Sequence, residues 1–331
     1  MSPLLSNFSL VIGGALAILA LAELVMRHAL RLSRHFGFSG AFAGLTIFSI
    51  GTSLLEIMIH IMGSVQILRA PRDSATLSAL LIGNNIGSDI FQQNFALPLV
   101  ALLGTVAIRK RNLRLEVGGL LAASTLLWLM CLGGGITRLE GVLLVVAYVA
   151  YLAYAGHDQS RHGLHHADHD GRLGRGGLAR CWLAVIAGFV CMAVVAEPVV
   201  AASTRLVAAL PLSASLFGVL VLGICAALPE LMTSLLAIAK GQREISAGIL
   251  IGSNVTNPLF SMGLGAAISG YDVPVVTVLY DLPVKIATGL LIYLFFWRHA
   301  GLRRPAALLL ILAYAAYLVG RGMYFPEDVP S

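Results

Sequence analysis

The chain has 331 residues, of which 58% are hydrophobic and only 11% charged, and its mean hydropathy is +0.88. A soluble domain carries roughly 25% charged residues, so the composition excludes a soluble globular protein and fits a polytopic helical membrane protein. The net charge of +6 is a loop bias of the kind membrane proteins carry, and excludes a nucleic-acid partner as its explanation.

Ten apolar segments follow one another, at about 9–27, 38–62, 75–107, 115–135, 139–155, 181–204, 213–238, 245–269, 275–297 and 303–321. Most reach the roughly 20 residues that a helix needs to cross hydrocarbon. The first carries Glu23 one turn before Arg27, read as a surface ion pair. It is not expected to be a secretory signal, because MSPLLSNFS before it has no positive charge and the segment has its counterpart in the sixth. The second contains GFSGAFAGLTIFSIGTSLLE, which ends at Glu56. The third contains GNNIGSDIFQQN at 83–94, is too long for one straight span and carries Pro98.

After the fourth and the short fifth segment comes a polar linker, GHDQSRHGLHHADHDGRLGRGGLAR. The sixth carries Glu197, and the seventh contains PLSASLFGVLVLGICAALPE, ending at Glu230. The eighth contains GILIGSNVTNPLF at 248–260, with Pro258 beside Asn257. Pro229 and Pro258 predict broken helices in this half. In the ninth, Asp281 and Lys285 stand four apart and read as an internal ion pair. Cys131, Cys181, Cys191 and Cys225 lack CxxC spacing and read as small buried hydrophobes.

The two halves repeat. A shift of 174 residues aligns Glu56 with Glu230, Glu23 with Glu197, Gly14 with Gly188, Arg31 with Arg205, Ser39 with Ser213 and Gly44 with Gly218. A shift of 165 aligns Ile86-Gly87-Ser88 with Ile251-Gly252-Ser253, which places a nine-residue insertion near QILRAPRDSAT. Five spans per half make the second copy enter the membrane from the opposite side. The predicted fold is therefore an all-α membrane protein, ten transmembrane helices forming two inverted five-helix repeats: residues 1–155, a cytoplasmic linker at 156–180, and residues 181–331. With the N-terminus outside, most of the 22 Lys and Arg fall in cytoplasmic loops, so both termini are placed outside the cell's inner (plasma) membrane.

An intramembrane carboxylate that occurs twice points to an ion pathway at the repeat interface. Glu56 and Glu230 match the charge of a dication. Thr52, Ser53, Ser88, Ser253, Gln92, Asn257 and carbonyls freed by Gly, Ser and Asn within the spans add neutral oxygens. Calcium takes about 6–8 such hard oxygens, and the lack of His or Cys argues against zinc or copper. Asp89 either faces this cavity or caps a broken helix.

GTSLLE and IGSDIFQ in one half, with ALPELMTS and IGSNVTNPLF in the other, resemble the two alpha-repeats of the calcium/cation antiporter superfamily, which includes the sodium/calcium exchangers. The resemblance implies ten spans in inverted halves, an outside N-terminus, and ion-binding carboxylates at Glu56 and Glu230. It implies a hydroxyl pair at Thr52 and Ser53, serines at Ser88 and Ser253, and a last cation-binding position at Gln92 and Asn257. The chain departs from the pattern at Ala226 and Ala227, which replace the second hydroxyl pair, at the longer Gln92, and at Asp89, which replaces an Asn.

The resulting expectation is an antiporter that exchanges calcium, or a related cation, for sodium or protons. It needs no cofactor; its partners are inorganic cations and the lipid bilayer, and the sequence implies no protein partner. No HExxH and no Ser/His pair lies in the spans, so an enzyme is not expected. The alternative is a degenerate transporter that senses metal through His157, His162, His165, His166 and His169, against which stands the reading of these histidines as a solvated loop.

Overall fold

The structure, a computed structural model, describes residues 3–35, 49–104, 110–160, 173–210, 212–239, 243–299 and 301–328. His162, His165, His166 and His169, on which the sensor alternative rests, lie outside these residues, as do Ser39 and Gly44 of the repeat and Arg109, Arg161, Arg172 and Lys240 of the basic loops.

The chain is almost wholly helical. Among the described residues, seven helices are long and apolar enough to cross a membrane, or up to eight if a bent pair, Leu54–Arg69 with Pro71–Leu103, is taken as one span. The predicted eighth segment misses that test because its polar residues divide it. Arg243–Thr256 has 14 residues and Met262–Ser269 has 8, with a π-helical turn, Asn257–Ser261, between them.

The predicted breaks take the form of π turns. Gln92–Ala96 and Asn257–Ser261 are both π-helical, and the two stretches are related by the same 165-residue shift as the GS motifs. Pro98 and Pro258 sit just after or within these turns, where the i→i+5 pattern absorbs a missing N–H donor. Pro229 behaves differently from the expectation: it stays inside the continuous helix Ile224–Ala239. The π turn Gly218–Gly223, directly before that helix, already loosens the ladder there.

Two long helices, Pro3–His35 and Arg175–Ala209, pack along each other. A Cβ on Gly14 would stand 2.3 Å from a methyl of Val199, and one on Gly188 would stand 2.3 Å from a methyl of Val25. Gly14 and Gly188, like Val25 and Val199, are 174 residues apart, so this is one contact made twice with the halves exchanged. The central contact is closer still. Helix Ser74–Phe91 lies backbone to backbone against 214–223, with a Cβ on Gly87 reaching 2.5 Å from Val219 Cα and one on Gly223 reaching 2.6 Å from Ser88 N. Small residues permit such approach where lipid offers no hydrophobic drive.

The all-α expectation misses one small element. Gly135–Ile136 pairs antiparallel with Tyr271–Asp272 and straps together loops from the two halves. Gly134 (φ 79°) and Gly270 (φ 72°) flank it in the left-handed region, which a side chain rarely tolerates.

The backbone contact yields a stability test. Gly87→Ala must push Val219 backbone away and lowers stability by about 1–3 kcal/mol, whereas Gly13→Ala meets nothing within 4 Å and is neutral or stabilising by up to about 1 kcal/mol. Thermal unfolding in detergent compares the two; equal melting temperatures contradict the packing.

Candidate functional site

Ser53 lies at the break between the short helix Ser49–Thr52 and Leu54–Arg69, with φ −81° and ψ 11°. This places Thr52, Ser53 and Glu56 on one polar turn inside an apolar helix. Helix Ser74–Phe91, which follows after a bend of 120° and packs against it, supplies Ser88, whose hydroxyl donates to Glu56 Oε1 at 2.9 Å. From the other half, Ile224–Ala239 brings Glu230, whose Oε1 accepts from Ser53 Oγ at 3.2 Å. Both carboxylates are fully buried.

The network continues across the halves. Gln92 Nε2 donates to Ser88 Oγ at 3.0 Å, and Asn254 Nδ2 donates to Gln92 Oε1 at 3.2 Å. Asn257 Nδ2 donates to Asp89 Oδ1 at 2.9 Å, while Asn85 Nδ2 holds the carbonyl of Asn257 at 2.9 Å. Of the sequence-derived residues, Glu56, Ser88 and Gln92 thus share one buried chain of hydrogen bonds with Asn254, Ser53 and Glu230 form a second buried pair, and Thr52 Oγ1 donates to Ser49 O at 3.3 Å. Asn257 joins a neighbouring network through Asp89. Ser253 stands apart: its hydroxyl returns to Ile249 O of its own helix at 2.8 Å.

What is left over is chemically informative. Glu56 Oε2, Glu230 Oε2, Asn254 Oδ1, Asn257 Oδ1 and the whole Asn84 amide are buried with no hydrogen-bond partner. No Lys or Arg among the described residues pairs with Glu56 or Glu230; the basic groups pair instead with Glu23, Asp89, Glu197, Asp281 and Asp328. A buried carboxylate without a counter-charge costs several kcal/mol, so two of them require protons or a bound cation. The spare atoms are mainly carboxylate and amide oxygens, the donors that hard cations take. Among the described residues no three His, Cys, Asp or Glu side chains converge.

Three sequence readings meet the structure differently. Glu23 pairs with Arg27 as expected, and Glu197 accepts from Arg69 at 2.7 Å; both pairs are exposed and outside the site. The expected Asp281–Lys285 pair is replaced by two pairs across helices. Lys285 Nζ donates to Asp89 Oδ2, and Asp281 Oδ1 faces Arg321 Nε at 3.3 Å and accepts from Tyr317 at 3.0 Å. Asp89, Asp281, Lys285 and Arg321 are all buried, and each of these four finds its opposite charge on another helix. Asp89 therefore neither caps a helix nor offers a free oxygen.

Sequence reasoning passed over Asn84, Asn254 and His60. Asn84 and Asn254 stood in the quoted motifs, and only their contacts distinguish them from their neighbours. His60, one turn beyond Glu56, is buried with Nδ1 at 2.9 Å from Tyr271 Oη, which also meets Ser64 Oγ at 2.9 Å. Gly265 leaves room for that hydroxyl: a Cβ there would stand 1.8 Å from it. Tyr271→Phe leaves His60 Nδ1 unsatisfied and lowers stability by about 1–3 kcal/mol, read as a lower melting temperature in detergent. An unchanged melting temperature contradicts the assignment.

The chain matches the sodium/calcium exchanger protein family over residues 6–156 and 181–323. It is 27% identical over 305 residues to the inner membrane protein YrbG of Escherichia coli (strain K12), covering 90% of each chain. It is 22% identical over 351 residues to the sodium/calcium exchanger MaX1 of Methanosarcina acetivorans, covering 95% of this chain and 97% of that one. Its fold matches a solved structure of the sodium-calcium exchanger NCX_Mj with a TM-score of 0.65 at 22% identity, covering 96% of this chain and 99% of that one.

Proposed function

This chain belongs to the sodium/calcium exchanger protein family, and from that premise we propose that it is a secondary antiporter exchanging calcium, or a related divalent cation, for sodium or protons by alternating access. The observation that carries this reading is the pair of buried carboxylates, Glu56 and Glu230, each with one oxygen partnered and one spare. In the proposal a dication binds between the spare oxygens, with Asn254 Oδ1 and Asn257 Oδ1 as neutral ligands. Thr52, Ser53, Ser88 and Gln92 hold the carboxylates in place, and Ser253 joins only if its hydroxyl turns away from Ile249. When the dication leaves, sodium ions or protons take over the charge.

The architecture proposed is two inverted five-helix halves, residues 1–155 and 181–331, joined by 156–180. The reciprocal Gly14–Val199 and Gly188–Val25 contacts and the equivalent π turns support it. The family match is interrupted between 156 and 181, at the same linker. Inverted halves favour two states that expose one midplane site to opposite sides. Placing both termini outside the inner membrane follows from the loop charges. One observation favours protons over sodium as the counter-ion: Ala226 and Ala227 are fully buried beside Glu230, and supply no oxygen where the first half has Thr52 and Ser53.

The test is calcium uptake into proteoliposomes under a sodium gradient and then under a proton gradient. Uptake under at least one is expected, and Glu56→Gln and Glu230→Gln each lower it about 100-fold or more while the protein still folds, because an amide cannot balance the cation's charge. Full uptake in both variants places the site elsewhere.

A further inference from the structure

Lys285 is a fully buried cation in an apolar helix, and its ammonium donates to Asp89 Oδ2. Asp89 is the residue after Ser88, which holds Glu56, and its other oxygen accepts from Asn257 at 2.9 Å. The ion pair is therefore built into the wall of the carboxylate site. The 165-residue shift puts Asn254 opposite Asp89, so the second half has a neutral amide where the first has an acid and needs no such cation. Asp281, the other acid in this region, is already paired with Arg321 and does not draw on Lys285.

The charges then add simply. When ionised, Glu56, Glu230 and Asp89 carry three negative charges, and Lys285 returns one. We propose that Lys285 is a tethered counter-cation that fixes the net charge of the site at minus two, so that each cycle exchanges one dication for two monovalent cations with no net charge moved. The inference rests on the exchange reading above and adds its stoichiometry. With both cargoes the loaded site is neutral, the state that crosses a low-dielectric barrier at least cost. Without the ammonium, the same site demands a third monovalent charge.

The experiment uses the full chain in proteoliposomes, with calcium as the dication and whichever of sodium or protons drives it. The calcium ratio at which net flux vanishes is measured against the monovalent ratio while potassium and valinomycin set the voltage. The expected null follows the square of the monovalent ratio at every voltage. In the wild type, monovalent cation on the calcium side competes and inhibits; in Lys285→Gln it stimulates, because it fills the vacated charge. Asp89→Asn lowers calcium flux about tenfold or more, and Asp89→Asn with Lys285→Gln, which restores minus two, returns it to within about threefold of wild type.

The double variant and the wild-type null decide the matter even if Lys285→Gln does not fold. A null that follows the cube, or that shifts with voltage, overturns the stoichiometry while leaving exchange intact. Continued inhibition by same-side monovalent cation in Lys285→Gln makes the pair structural only and overturns the role of Lys285. No calcium flux under either gradient overturns this inference together with the exchange reading.

Discussion

Two carboxylates buried in an apolar helical protein, neither paired with a Lys or Arg among the described residues, set the terms for everything around them. Charge in such an interior is tolerated only when it is neutralised. The protein spends hydroxyls, Ser53 on Glu230 and Ser88 on Glu56, to hold one oxygen of each acid. The opposite oxygens stay free. A site arranged this way is oriented and incomplete at once, and a small cation of matching charge completes it.

The packing serves that arrangement. To bring Ser88 to Glu56 and the Gly218–Gly223 turn to Ser88, helices must approach at backbone distance, which is why glycines line the contact. The π turns at equivalent places in the two halves aim Gln92 and Asn257 inward, at the cost of regular helical bonding, a trade often found at functional sites. The strap at Tyr271 and the buried His60 and Ser64 bonded to it fasten the region one turn beyond Glu56. The site thus sits between two halves that meet through small residues and are fastened to each other by this strap.

Much of this was legible in the sequence. Glu56, Glu230 and the GS motifs announce themselves because a polar residue in a span is costly and a repeated one is not accidental. The helical class follows from composition, and the Glu23–Arg27 pair from spacing alone. What was not legible depends on which helices touch. Lys285 reads as a partner of Asp281 because spacing within one helix is visible in a sequence, while its contact with Asp89, nearly two hundred residues away, is not. Pro229 reads as a break because its missing donor is visible, whereas the π turn before it, which absorbs the irregularity, has no signal of its own. Ser253 reads as a counterpart of Ser88 by the repeat, but its hydroxyl turned to its own helix; symmetry of sequence does not enforce symmetry of rotamers.

The central claim is that the cation lies between the two acids. The most direct measurement is anomalous diffraction from crystals of the protein soaked in calcium, recorded at long wavelength. The account predicts a peak about 2.3–2.6 Å from Glu56 Oε2 and Glu230 Oε2, absent when calcium is withheld. A calcium peak elsewhere, or none between these carboxylates at saturating calcium, contradicts it.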